Sequence, residues 1–230
     1  MFNLPKHTFV KSVIPKKEFY DYCNNKQKKL LTNQIQRITW LHSLSNKTIN
    51  LKGEEIEEIQ VFHIELKQKV KIPELILLIN RIIPYHIIFV ISYGDELYLS
   101  ASTKYPNPTQ ENIDVVSDTA TTEWMHREDM SYKFELRSSL DVVFNQFFLQ
   151  IKDFTFEDGR YIEKGELERL IKIKQEIEEL ESKIKLAEAK VKSTKQINRE
   201  LEYYQEQKKL ERQLRLKKKS LMKSKSGILP

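Results

Sequence analysis

The chain has one cysteine, Cys23, five glycines and no long apolar run. Each shortage excludes something. A single thiol closes no internal disulfide and builds no cysteine-rich zinc cluster, so a reducing compartment is expected. The glycines are scattered, which leaves no phosphate-cradling loop. The longest apolar stretches, 75–83 and 85–91, are broken by Asn80, Arg81 and Pro84. They fall short of the roughly 20 residues that span a bilayer. The start, Met1-Phe2-Asn3-Leu4-Pro5-Lys6, has neither the apolar core nor the cleavage site of a secretion signal. A cytoplasmic protein with no membrane partner is expected.

What is present is charge, unevenly placed. Residues 1–159 hold 19 Lys and Arg against 21 Asp and Glu, a net of −2. Residues 160–230 hold 20 against 12, a net of +8, which restores the total of +6. Within that tail, 192–230 carries 12 basic and 4 acidic residues. The isoelectric point near 9.1 thus describes one segment.

The same segment carries the clearest periodicity. Leu170, Ile173, Ile177, Leu180, Ile184, Ala187 and Val191 recur in alternating steps of three and four, a heptad seam with mostly Lys and Glu between. After Val191 the phase breaks. A second pattern follows at Ile197, Leu201, Tyr204, Leu210, Leu214 and Leu221, with Ser193 and Gln196 spaced as a capping box. A narrow apolar stripe needs a partner, and the second helix is already tethered to the first. The spacing predicts a hairpin of helices over about 163–191 and 197–223. One continuous helix forming a parallel homodimer is the alternative.

The rest reads as a mixed α/β domain over 1–152, joined by a linker at 153–165 to a coiled-coil hairpin at 166–223 and a disordered tail at 224–230. Residues 16–33 are predicted helical, 35–44 a strand, 45–47 a turn and 48–51 a short strand. The β-branched and aromatic run 56–67 predicts the strongest strand. Pro73 opens an all-apolar, buried helix to 83. The apolar run 85–92 suits a strand covered on both faces. Residues 97–104 alternate as a strand. The Pro-, Asn-, Thr- and Asp-rich stretch 105–121 reads as a surface loop, with short strands at 122–125 and 133–136. Ser138 or Ser139 caps a closing amphipathic helix over 139–151. Trp40, Phe62 and Phe89 are expected in the core, and Trp124, after a long loop, as an exposed interface anchor.

Several blocks are recognisable: Arg37-Ile38-Thr39-Trp40-Leu41, Thr48-Ile49-Asn50-Leu51, Glu58-Ile59-Gln60-Val61-Phe62 and 83–89. With Leu180-Glu181-Ser182-Lys183-Ile184 and 197–202 in the tail, they resemble a bacterial domain-of-unknown-function family, number 4391. The resemblance runs over almost the whole chain in the same order. It implies a place beside helicase and DNA-methyltransferase subunits in restriction-like, antiphage systems. It supplies no catalytic residues.

The candidate chemistry is sparse. The order helix, strand, strand, strand, helix, strand resembles the core of PD-(D/E)xK nucleases in a degenerate form, and Glu65-Leu66-Lys67 matches their Glu-x-Lys. In that arrangement Glu65 would hold Mg²⁺ and Lys67 would orient water. The preceding strand should add an acid, and 48–51 has none. Glu57 is roughly 26 Å away along the strand at about 3.3 Å per residue, so Glu54, Glu55 or Asp95 would have to serve. His42, His63, His86 and His126 lack partners at metal-ligand spacing and read as structural, so no resident metal or other cofactor is expected. The basic positions Lys208, Lys209, Arg212, Arg215, Lys217, Lys218 and Lys219, with Lys223 and Lys225, crowd the last helix and suit a phosphate backbone, with Tyr203 and Tyr204 available for stacking. A solvated coiled-coil surface or an acidic protein partner would carry the same charges. The sequence thus favours a non-catalytic interaction subunit of a DNA-directed complex, docking on a helicase or methyltransferase. A Mg²⁺-dependent nuclease is the alternative.

Overall fold

The computed structural model describes residues 2–107, 114–153, 164–194 and 196–225. The chain divides into two compact units, 1–154 and 155–230.

The first unit is built on one mixed sheet. Its strands are β1 (Phe9–Val13), β2 (Ile35–Ser45), β3 (Glu58–Leu66), β4 (His86–Tyr93), β5 (Glu96–Pro106), β6 (Asp114–Thr121) and the two-residue β7 (Met125–His126). They lie in the order β1-β2-β3-β4-β5-β6, with β7 continuing beside β5. Only β3 and β4 are parallel, and the helix α3 (Pro73–Ile82) makes the crossover between them. Residues 87–91 of β4 are apolar and buried on both faces, as befits a strand covered by helices on both sides.

On one face Ile38, Phe62, Ile64, Leu66, Phe89, Ile91 and Tyr98 pack with Phe19, with Leu31 of α1 (Asn25–Gln34) and with Leu75, Ile76 and Ile79 of α3. Asn24 caps α1 through a reciprocal box with Gln27. Pro73 starts α3, where its missing N–H costs nothing. Where α3 ends, the buried Lys104 ammonium reaches in from β5 and donates to the carbonyls of Asn80 and Ile83 while pairing with Asp114 at 3.0 Å. The last turn of a helix leaves such carbonyls unsatisfied, so this lysine acts as a cap supplied by the sheet.

The opposite face is covered by the fourth helix in chain order. The third-from-last helix, α4 (Leu140–Ile151), follows the four-residue α2 (Asn46–Ile49) and α3 and packs against β3, β5 and β6. Ser139 caps it by accepting from the Val142 amide at 3.3 Å. Its outer side is covered too: Phe134 stacks on Phe147 at 4.2 Å and Phe2 meets both rings edge-on. The first turn of α4 is fastened to the loop before β3. The Asp141 carboxylate accepts from the backbone amides of Glu54, Glu55 and Ile56 at 2.8–3.1 Å. Gly53 makes that approach possible, since a Cβ there would stand 2.2 Å from the Ile56 carbonyl oxygen and 2.8 Å from Asp141 Oδ2.

The second unit is a helical hairpin of α5 (Lys164–Ser193) and α6 (Ile197–Lys225). Lys190 lies over the Tyr203 ring near the turn, whereas Glu176 and Glu181 pair with Lys217 and Lys218, so the helices run antiparallel. Residues 154–163, most of the expected linker, and 226–230 of the expected tail lie outside the described residues; the helix itself reaches Lys225.

Several sequence expectations are corrected. Residues 48–51 form no strand. Ser45 and Thr48 make a capping box that turns this segment into α2, and Asn50 ends it in the left-handed region. Residues 114–121, read as loop, form β6, whose Ser and Thr hydroxyls bond across to β5, as in Ser102 to Thr119 at 2.9 Å. Residues 133–136 are not a strand; Lys133 is instead held by both ends of the Gln150 amide. The predicted helix 16–33 is a 3-10 segment, Lys16–Tyr22, followed by α1. On α6 the half-buried side chains include Tyr203, Gln207, Leu210, Leu214, Lys217 and Leu221, which recur at seam spacing, with Glu211 and Ser220 beside them. Leu201 and Tyr204 are 56% and 48% exposed. The seam thus takes Tyr203, not Tyr204, and closes partly over polar side chains. Ser193 ends α5 with its hydroxyl on the Lys190 carbonyl rather than opening α6.

Candidate functional site

The carboxyl ends of β3 and β4 are the place where a parallel pair with a crossover helix usually presents ligand-binding groups. Here they present His63, Glu65 and Ser92. His63 and Glu65 share a strand face, and Ser92 stands beside Glu65 in the parallel register. His63 Nε2 meets the Ser92 hydroxyl at 2.7 Å. Burial holds the imidazole below its usual pKa; Glu65 pulls it up, and Arg127 and Arg37 push it down. The downward shift favours the neutral ring, bonded to the buried Ser92 hydroxyl.

Glu65 is occupied from the other side. Arg37 is its register partner on β2, and the guanidinium reaches Oε1 through NH2 at 2.6 Å and Nε at 2.7 Å. Lys67 lies just past the end of β3, and its ammonium donates to the Thr32 carbonyl at 2.8 Å, in the last turn of α1. The two members of the Glu-x-Lys triplet thus turn to different neighbours. The strand position opposite Glu65, where a metal-binding pair would need an acid, holds an arginine. Among the described residues no three His, Cys, Asp or Glu side chains gather closely enough to share a metal ion.

The other histidines have local partners. His42 Nδ1 is 2.9 Å from the Thr8 hydroxyl, which itself donates to the Pro5 carbonyl. That leaves the histidine as donor. His86 lies edge-on to Phe144 at 4.6 Å, and burial, aided by Lys104, pushes it down to about 3. Trp124 is not an exposed anchor. It packs partly buried against the core, edge-on to Tyr98 at 4.8 Å, with Lys69 over its ring.

The basic helix gives the more continuous surface. On α6 the seam positions set the inward direction, and a rotation of 100° per residue then places 205, 208, 212, 215 and 219 on the outward line. These are Gln205, Lys208, Arg212, Arg215 and Lys219, with no acid among them, and all are exposed. The four cations extend about 16 Å along the helix. Lys209 stands beside them. Lys217 and Lys218 point elsewhere, pairing with Glu176 and Glu181 of α5, and Lys208 shares its charge with Glu211 at 2.8 Å. Among the described residues no ion pair engages Lys209, Arg212, Arg215 or Lys219. Sequence spacing alone gave the cluster; the split between pairing and outward lysines needed the true seam.

Residues 2–214 match the family model described as Domain of unknown function (DUF4391), and the chain belongs to that family. No curated protein and no solved structure matches it.

Proposed function

We propose that this member of the family is a non-catalytic accessory subunit of a DNA-directed complex, whose helical hairpin lays the outward ridge of α6 along a nucleic-acid backbone. The observation that carries the reading is the segregation of charge on α6. Lys217 and Lys218 neutralise acids of α5, while Arg212, Arg215 and Lys219, together with Lys208, which shares its charge with Glu211, form a basic line facing solvent. A helix that needed charge only for solubility would mix both signs on its outer face. The α/β unit serves as the docking body, in keeping with a helicase or DNA-methyltransferase partner in a bacterial antiphage, restriction-like system. The alternative is a Mg²⁺-dependent nuclease centred on Glu65 and Lys67; the Arg37–Glu65 pair weighs against it.

The test is a salt titration of duplex-DNA binding by the intact chain, followed by fluorescence anisotropy. Four phosphate contacts predict a log–log slope of about −3.6. Reversing Lys208, Arg212, Arg215 and Lys219 to Glu should abolish binding, while reversing Lys217 and Lys218 should not. Binding that is insensitive to salt, or equal in the two variants, would remove the ridge from the function.

A further inference from the structure

In the first unit β1 is an edge strand of the sheet. Among the described residues β1 pairs only with β2, so its other side offers unpaired backbone groups. Natural edges are usually protected by charge. This one carries a bulge, at Lys11, which sits in the left-handed region with φ of 53°. The Phe9 ring meets His42 edge-on at 5.2 Å and lies under the Lys11 ammonium, yet Phe9, Val10 and Val13 remain 51%, 38% and 58% exposed. Among the described residues of this unit, half of the exposed large apolar side chains fall on these five residues, the others being Tyr22, Tyr93 and Tyr105.

Charge narrows what can cover the edge. Residues 2–17 contain Lys6, Lys11, Lys16 and Lys17 and no acid. Lys16 is committed to the Ile35 carbonyl, while Lys6, Lys11 and Lys17 are exposed. A second copy joined edge to edge would repeat the same strand across a two-fold axis. Lys11 is the middle residue of β1, so the two lysines would meet at the centre, and like charges directly opposite oppose pairing. A strand with apolar side chains alternating with Asp or Glu has neither problem. Its apolar side chains cover Phe9 and Val13, its acids answer Lys6, Lys11 and Lys17, and its backbone completes the edge.

We propose that the open edge of β1 is the docking strand for an acidic, extended segment of a partner protein. The proposal rests on the reading of the chain as a docking subunit and names the chemistry of the docking. The probe is a fluorescein-labelled peptide of about ten residues, a usual upper length for a strand, alternating Val or Phe with Asp or Glu. A peptide with the same apolar residues but Lys in place of the acids is the comparison. Both are titrated into the intact chain by anisotropy. The acidic peptide should bind saturably and at least about tenfold more tightly than the basic one, a difference of about 1.4 kcal/mol. Phe9→Asp with Val13→Asp should weaken it about tenfold or more. Lys11→Glu, which keeps the apolar surface and tests against a simple loss of folding, should reverse the preference between the peptides. Equal binding of the two peptides, no binding of the acidic one, or indifference to Lys11→Glu would overturn the proposal. So would a concentration-dependent dimer abolished by the Phe9 and Val13 changes, which would give the edge to a second copy. Duplex-DNA binding by the same variants reports on the α6 ridge separately, so either reading can fail alone.

Discussion

Arg37 and Glu65 face each other across β2 and β3, with both guanidinium contacts falling on the same carboxylate oxygen. This pairing decides how the Glu-x-Lys triplet is read. A carboxylate already answered by a register partner is part of the sheet, and the two changes Arg37→Ala and Glu65→Ala should be coupled. A double-mutant cycle in urea should give a coupling of about 0.5–1 kcal/mol, the range for a partly exposed pair. Zero coupling would mean that Glu65 is held for some other purpose, and metal-dependent cleavage assays on Glu65→Ala would be the next step.

The fastening of α4 depends on a carboxylate and a missing side chain. Asp141→Ala leaves three amides without their acceptor and should cost about 2–3 kcal/mol. Gly53→Ala should cost a comparable amount, because its methyl group meets the Ile56 carbonyl rather than a movable side chain. If thermal melts show Gly53→Ala within about 0.5 kcal/mol of the parent, the loop is looser than described.

Asp141 also makes a pH prediction. Burial raises its pKa, but the amide bonds from Glu54, Glu55 and Ile56 outweigh burial and hold it below the ordinary carboxylate value. A folded pKa below the unfolded one stabilises the fold above the unfolded value of about 3.9 and is lost as the pH falls through the folded value. Asp141→Asn should therefore flatten the stability curve below about pH 4. A curve as steep as the parent's would place the acid sensitivity elsewhere.

His86 acts over a different range. Its folded pKa of about 3 lies under the unfolded value, so the unfolded chain takes the proton first. Stability should fall as the pH drops from about 6.5 towards the folded pKa. His86→Phe, which keeps a ring against Phe144, should hold its stability between about pH 6 and 4, with denaturant midpoints at several pH values as the readout. Parallel losses in parent and variant would show that this histidine is not the sensitive group.

On the hairpin the two adjacent tyrosines should separate cleanly. Tyr203 is half-buried under Lys190, and Tyr204 is exposed. Tyr203→Ala should lower helix stability by about 1–2 kcal/mol and Tyr204→Ala by less than about 0.5, followed by circular dichroism of the intact chain. The reverse order would restore the seam read from sequence.

The elements legible in sequence were those that bury apolar side chains with a clear period. The run that became β4, the all-apolar α3, the capped α4 and the 170–191 seam each announced themselves that way. The rest failed for identifiable reasons. All five residues of β1 are exposed, so no burial alternation marks it. In β6 hydroxyl-to-hydroxyl bonds replace apolar packing, and its Ser, Thr and Asp resemble a loop. Thr48 and Ile49 have strand propensity, but the Ser45–Thr48 box overrides it. On α6 the seam includes Gln207 and Lys217, whose polarity hides the phase, so the apolar spacing points to Tyr204 instead of Tyr203. At the strand ends Glu65 and Lys67 were legible as residue types, whereas their partners Arg37 and Thr32 lie 28 and 35 residues away along the chain.

The Asp141 fastening spans 85 to 87 residues of chain, so it bears on the order in which the unit assembles. The β3–α3–β4 crossover and the β4–β5 hairpin can form over much shorter loops, and longer closures carry a larger entropic cost. The fastening is then expected to form after the rate-limiting barrier, as a latch on the finished fold. Asp141→Asn should leave the refolding rate nearly unchanged and accelerate unfolding, so that the lifetime of the folded unit, rather than its speed of formation, depends on this one carboxylate.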